Sequence, residues 1–185
     1  MQVKDKVILV TGGGNGIGAA LCRRFKREGA RGIAVVDIDA EAARQVAEEI
    51  GETALVADVA VEADVVRVVQ ETEEQQGPID LFCSNAGVAF ADEPGWQATS
   101  CPNDKWQKAW EINVMAHVYA ARAVLPGMID RGEGYLLNTV SAAGLLNQIG
   151  SASYSTTKHA AIGFAESLAI THGDDGIKVS VICPQ

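Results

Sequence analysis

Tyr154 and Lys158 stand four residues apart in a stretch, Ser153 to His172, whose pattern reads as helix. That spacing puts both side chains on one helix face, one turn apart. A phenol ionises at a pKa of about 10 and is a poor base at neutral pH. A neighbouring ammonium lowers that value and makes a tyrosine usable for proton transfer. Ser141, thirteen residues upstream of Tyr154, adds a hydroxyl. On spacing alone the commoner outcome is a solvated surface pair, so the chemistry needs a ligand site beside it.

The start of the chain supplies one. An apolar run, Val7-Ile8-Leu9-Val10, leads into Thr11-Gly12-Gly13-Gly14-Asn15-Gly16-Ile17-Gly18, then an amphipathic stretch from Ala19 to Glu28 that closes at Gly29. This reads as strand, glycine-rich turn and helix. The glycines let backbone approach a ligand closely, and the helix start presents N–H groups and a positive dipole end to a phosphate. A second apolar run, Ile33-Ala34-Val35-Val36, ends at Asp37, nineteen residues after Gly18. An acid at that distance is where a dinucleotide fold holds ribose hydroxyls.

Strands and helices alternate along the whole chain. The pattern predicts strands at Val7–Thr11, Ile33–Asp37, Ala54–Asp58, Leu81–Ser84, Tyr135–Val140 and Val179–Cys183. It predicts helices at Gly16–Glu28, Glu41–Ile50, Glu62–Gln76, Lys105–Asp130 and Ser153–His172, with Pro102-Asn103-Asp104 as cap residues for the fourth. Ala89–Cys101 reads as loop. The expected architecture is α/β: a doubly wound, Rossmann-type parallel sheet with helices on both faces and strand order 3-2-1-4-5-6. The turn at Gly12 to Gly18, Asp37, Asp58, Asn85 to Gly87 and Ser141 all then fall at the carboxyl ends of strands, where such sheets bind ligands.

The sequence resembles the short-chain dehydrogenase/reductase family in its single-domain branch. The matching residues are Thr11 to Gly18, Asp58-Val59, Asn85-Ala86-Gly87, Asn113, Ser141 and the Tyr-x-x-x-Lys of Tyr154 and Lys158. The resemblance implies reversible hydride transfer between NAD(H) and a secondary alcohol or ketone. Tyr154 would be the general acid/base. Lys158 would lower its pKa and bond the nicotinamide ribose, Ser141 would hold the substrate oxygen, and Asn113 would position a water. The cofactor would lie along Gly12, Asn15, Gly16, Ile17, Gly18, Asp37, Ile38, Asp58, Val59, Asn85, Ala86, Gly87 and Pro184, besides Tyr154 and Lys158. Plainer roles stay open: a turn residue for Ser141, a helix N-cap region for Asp58, and a backbone-bonding amide for Asn113.

Asp37 can accept from both adenosine ribose hydroxyls and would repel the extra phosphate of NADP. Ile38 follows it where a basic residue would suit NADP, and Gly13-Gly14-Asn15 carries no cation. NAD is the expected cofactor. Val88, Phe90, Trp96, Leu145, Leu146 and Ile149 suggest a partly apolar substrate pocket. The family's pairing through its two long helices implies a homodimer or homotetramer.

Composition narrows the partners. A net charge of −9 argues against nucleic acid. No continuous apolar run approaches the roughly 20 residues that span a bilayer, and the N-terminus runs straight into the first strand. Cys22, Cys83, Cys101 and Cys183 and the three histidines show no metal-ligand spacing, so no metal is expected and the thiols read as reduced, in a cytoplasmic protein. Cys83 and Cys183 are placed in strands.

The family's chain continues past strand six with a seventh strand and a substrate lid. This sequence stops at Pro184-Gln185, where Pro-Gly is usual, so one domain over 1–185, truncated after strand six, is expected, with strand six as an exposed edge. The rival functions are a non-catalytic dinucleotide-binding module or inactive fragment and, further off, an epimerase or dehydratase of the larger branch.

Overall fold

The computed structural model describes residues 1–185. Six parallel strands run β1 (Val7–Thr11), β2 (Gly32–Asp37), β3 (Thr53–Val56), β4 (Leu81–Ser84), β5 (Gly134–Thr139) and β6 (Ile177–Ile182). Their order across the sheet is β3-β2-β1-β4-β5-β6, as the sequence predicts. The order reverses between β1 and β4, and that gap opens the ligand crevice.

The strands are near-continuous apolar runs because both sheet faces are covered. Alternate residues feed two cores. Ile8, Val10, Ile33, Val35, Leu81 and Cys83 pack under α1 (Gly16–Arg27) and α2 (Ala40–Ile50) through Cys22, Phe25, Val46 and Ala47. Val7, Leu9, Val36, Phe82 and Leu136 face the other way. They meet α3 (Glu62–Gln76), α5 (Ala116–Arg131) and α6 (Ala152–His172) through Val65, Val68, Val124, Met128 and Leu168.

The helix expected over Lys105–Asp130 is one continuous helix, Asn103–Arg131, but it is not uniform. It comprises α4 (Asn103–Trp110), a π-helical turn (Glu111–Met115) and α5, with Pro126 inside the last. Its N-cap is Pro102, and no side chain caps it. The run from Ile112 to Ala121 carries no charge, so by length and composition this helix could cross a membrane. More than half of its apolar stretch is buried inside the domain, which accounts for that composition as core packing.

Other boundaries differ from expectation by one or two residues. β3 ends at Val56, so Asp58 lies in the turn after it, where Ala57 N–H donates to the Asp37 carbonyl. β6 starts at Ile177 and ends at Ile182, leaving Cys183 just beyond the strand. β5 ends at Thr139, two residues before Ser141.

Candidate active site

The glycine turn is shaped by two contacts that exclude a side chain. Gly12 has φ +63°, and a Cβ there would come 3.0 Å from the Ala86 backbone. At Gly18 a Cβ would sit 2.0 Å from the Gly12 carbonyl oxygen and 2.6 Å from Asn85 Nδ2, so the first turn of α1 presses directly on the loop. Asn85 locks this junction. Its Nδ2 donates to the carbonyls of Thr11 and Gly12 at 3.1 and 3.3 Å, while Thr11 Oγ1 accepts from Asn85 N at 3.0 Å. No side chain caps α1 at Asn15, so the N–H groups of its first turn remain available to an anion.

Two cleft halves meet over this junction. The first, about 330 Å³, is lined by Gly12, Asn15, Asp37, Ile38, Asp58, Val59, Asn85, Ala86 and Gly87, together with Ala57, Val88 and Ile112. The second, about 400 Å³, is lined by Gly16, Ile17, Asn85, Gly87, Tyr154, Lys158 and Pro184, together with Val88, Ala89, Thr139 and Val140. Asn85, Gly87 and Val88 belong to both, so the halves form one groove along the carboxyl edge of the sheet. Three expected residues do not line it. Gly18 acts by close packing, Asn113 is fully buried, and Ser141 follows the lining residue Val140 without lining the groove itself.

Asp37 holds the acidic end. Its Oδ2 accepts from Gly14 N at 2.9 Å and its Oδ1 from Asp39 N at 3.1 Å. A carboxylate has about four lone-pair sites, so two remain for a ligand. Asp58 behaves partly as the plainer reading allowed. Its Oδ1 accepts from Ala60 N at 2.9 Å in the turn before α3, yet the residue still lines the groove.

At the other end, Lys158 is only 2% exposed. Its Nζ donates to the Thr139 carbonyl at 3.1 Å and lies 5.5 Å from the centre of the Tyr154 ring. Burial pulls the ammonium down to a pKa of about 8, partly offset by the nearby Cys183. Tyr154 is half-buried and faces the groove.

Asn113 is fully buried within the π turn. Its Oδ1 accepts from Val88 N, and its Nδ2 donates to the Val88 carbonyl, both at 2.9 Å, and to Thr157 Oγ1 at 3.0 Å. Three of the amide's four hydrogen-bonding positions are thus taken by protein, as in the backbone-bonding alternative, and they tie the Val88 wall of the groove to α6. Ser141 Oγ accepts from Ala143 N at 3.1 Å and caps a short 3₁₀ turn, Ala142–Gly144. Of the residues expected to make an apolar pocket, only Val88 lines the groove. Leu145, Leu146, Ile149 and Trp96 are exposed.

Thr139 and Ile112 were not singled out by sequence reasoning, and Thr11 only as part of the glycine-turn motif. Thr11 carries a weak signal, as the residue that opens the glycine turn. Thr139 offers its backbone carbonyl, to which residue type is no guide.

A profile of the family described as short chain dehydrogenase matches residues 6–185. The chain is 36% identical to 1-deoxy-11-beta-hydroxypentalenate dehydrogenase of Streptomyces exfoliatus, over all of this chain and 68% of that protein. It is 33% identical to mouse (Mus musculus) epidermal retinol dehydrogenase 2, over 99% of this chain and 60% of that protein. It is 31% identical to meso-2,3-butanediol dehydrogenase of Serratia marcescens, over all of this chain and 72% of that protein. A glycine turn, an acid after β2 and a Tyr-Lys pair in one groove agree with a match of this extent, and the chain belongs to the short-chain dehydrogenase family.

Proposed function

We propose that the chain carries the NAD-binding and proton-transfer machinery of an oxidoreductase that interconverts a secondary alcohol and a ketone. The observation that carries this reading is the shared groove: Tyr154 and Lys158 line it together with Gly16 and Ile17 at the start of α1 and with Pro184. The residues fit a dinucleotide. Side-chain-free surfaces at Gly12 and Gly18, an uncapped helix start and the free lone pairs of Asp37 lie in line. Bound NAD(H) would accept or supply the hydride.

The chain's own residues handle the proton. Tyr154 takes it from the alcohol oxygen as the carbonyl forms, and returns it in the reverse direction. Lys158, whose Nζ lies 5.5 Å from the centre of the Tyr154 ring, stabilises the tyrosinate. Ser141, tied to Ala143 N, would turn its O–H toward the substrate oxygen. Asn113 holds the groove wall. NAD is favoured over NADP because Asp37 faces the groove, Ile38 beside it is 66% exposed, and no Lys or Arg lines that half. The related dehydrogenases named above act on hydroxyl-bearing compounds by their names, which supports an alcohol substrate. Exposed Ile170 on α6 supports pairing of copies through the long helices.

The test combines NADH fluorescence titration with oxidation of a panel of secondary alcohols, for the protein and for Tyr154→Phe. The reading expects NADH binding in both and turnover only in the first. Turnover by Tyr154→Phe sinks the assignment, and binding without any turnover by the parent points to a dinucleotide-binding module.

A further inference from the structure

The helix that bears Tyr154 and Lys158 is capped from sixty residues away. Ser151, just before α6, does not cap it with its side chain; its Oγ donates instead to the Phe90 carbonyl at 2.7 Å. The N–H of Ala152, the first helical residue, donates to Oδ2 of Asp92 at 2.9 Å. Asp92 is 1% exposed, and its own N–H donates to the Gly150 carbonyl at 2.8 Å. Trp96 N–H donates to the Asp92 carbonyl at 3.2 Å, and its indole lies on Gly150, where a Cβ would come 2.9 Å from Cδ1. Upstream, Asn113 binds Val88 on one side and Thr157 on the other. The segment from Val88 to Trp96 is thus a strap laid along the first two turns of α6. It begins in the groove wall.

We propose that Asp92 is a positioning residue for Tyr154, a role that rests on the proton-transfer reading above. Oδ1 of Asp92 has no protein partner, so the carboxyl's bond to the rest of the chain is the one to Ala152. A carboxyl at a helix N-terminus is favoured by the dipole and satisfies an N–H that would otherwise be unpaired. Tyr154 lies two residues past Ala152, in that first turn. Lys158 lies a turn deeper and is tied to Thr139. Fraying of the first turn therefore moves the phenol and leaves the ammonium in place. The gap between them widens, and a tyrosinate at this position loses part of the ammonium's attraction.

The experiment compares Asp92→Ala and Asp92→Asn in the same chain. The placement of the Tyr154 ring beside Lys158 is followed by its aromatic NMR resonances, assigned by their loss in Tyr154→Phe. Opening of the α6 start is followed by amide hydrogen exchange at residues 152–155. Asp92→Ala is expected to speed that exchange about tenfold and to move the Tyr154 ring resonances away from their positions in the parent. Asp92→Asn, whose amide oxygen can still accept from Ala152, stays near the parent in both. Parent-like ring resonances or parent-like exchange in Asp92→Ala overturns the proposal, as does an Asp92→Asn variant shifted as far as Asp92→Ala. Alcohol oxidation by Tyr154→Phe would instead bring down the catalytic reading, while exchange and the ring resonances would still decide the role of Asp92.

Discussion

Lys158 Nζ sits 5.5 Å from the centre of the Tyr154 ring while donating to the Thr139 carbonyl at 3.1 Å. An ammonium buried to this extent is held against its desolvation cost. Below its lowered pKa of about 8 the side chain is charged in both folded and unfolded chains, so the cost is fully present at pH 7. It amounts to about 3 kcal/mol, against about 1 kcal/mol gained from the bond to Thr139. Lys158→Met should therefore raise the stability of the ligand-free protein at pH 7 by about 2 kcal/mol in urea unfolding. Its advantage over the parent should shrink as the pH rises from 8 toward 10.5, where the parent's folded lysine is already neutral. The same variant should lose turnover. A less stable Lys158→Met at pH 7 would mean that the ammonium is better solvated than its burial indicates.

Two glycines separate packing from flexibility. A Cβ at Gly18 would lie 2.0 Å from the Gly12 carbonyl oxygen, and neither α1 nor the turn can yield without opening the groove. A Cβ at Gly163, within α6, would meet nothing within 4 Å. Gly18→Ala should cost at least about 2 kcal/mol and abolish NADH binding. Gly163→Ala should stabilise by roughly 0.5–1 kcal/mol with binding unchanged. Thermal unfolding with fluorescence titration checks both. A Gly18→Ala variant that binds NADH like the parent would show that the contact is dispensable.

These contacts show what the sequence could and could not reveal. β1 was read to the residue, since a central parallel strand buried on both faces is an unbroken apolar run. β6, at the sheet edge, begins two residues before the reading, because the exposed Lys178 breaks the run after Ile177. The groove was legible through Gly12, Asp37, Asn85, Tyr154 and Lys158, whose order along the chain follows from the alternation of strands and helices. The π turn around Asn113 was not, because it widens one turn of a helix whose apolar pattern continues on either side. Nor was Asp92. Its bond to Ala152 joins a loop without periodicity to a helix start sixty residues on, and nothing local in either segment encodes the pairing.

Asp37 does two jobs that one variant can separate. It holds the Gly14 amide and leaves lone pairs toward the groove. Asp37→Ala should weaken NADH binding about tenfold or more, and NADPH binding by much less, because the charge that repels the extra phosphate is gone. The ratio of the two dissociation constants is the readout. An unchanged ratio would mean that cofactor choice lies elsewhere in the groove.

His117 sets the acid limit. It is buried on α5, its Nδ1 is 3.2 Å from Asn138 Oδ1, and its Nε2 has no partner. Burial, with some repulsion from Lys158, holds its pKa down at about 4. An unfolded histidine takes up a proton near pH 6.5, so between 6.5 and 4 the unfolded chain binds more protons than the folded one. Stability must then fall as the pH drops through that window. The loss should reach about 2 kcal/mol by about pH 5, before the carboxylates of the unfolded chain begin to take up protons. In His117→Gln, which keeps a donor for Asn138 but cannot charge, urea unfolding should be nearly independent of pH from about 6.5 to about 5. A variant that retains the parent's full acid sensitivity would assign the loss to another group and show that the buried imidazole can be protonated in place without cost.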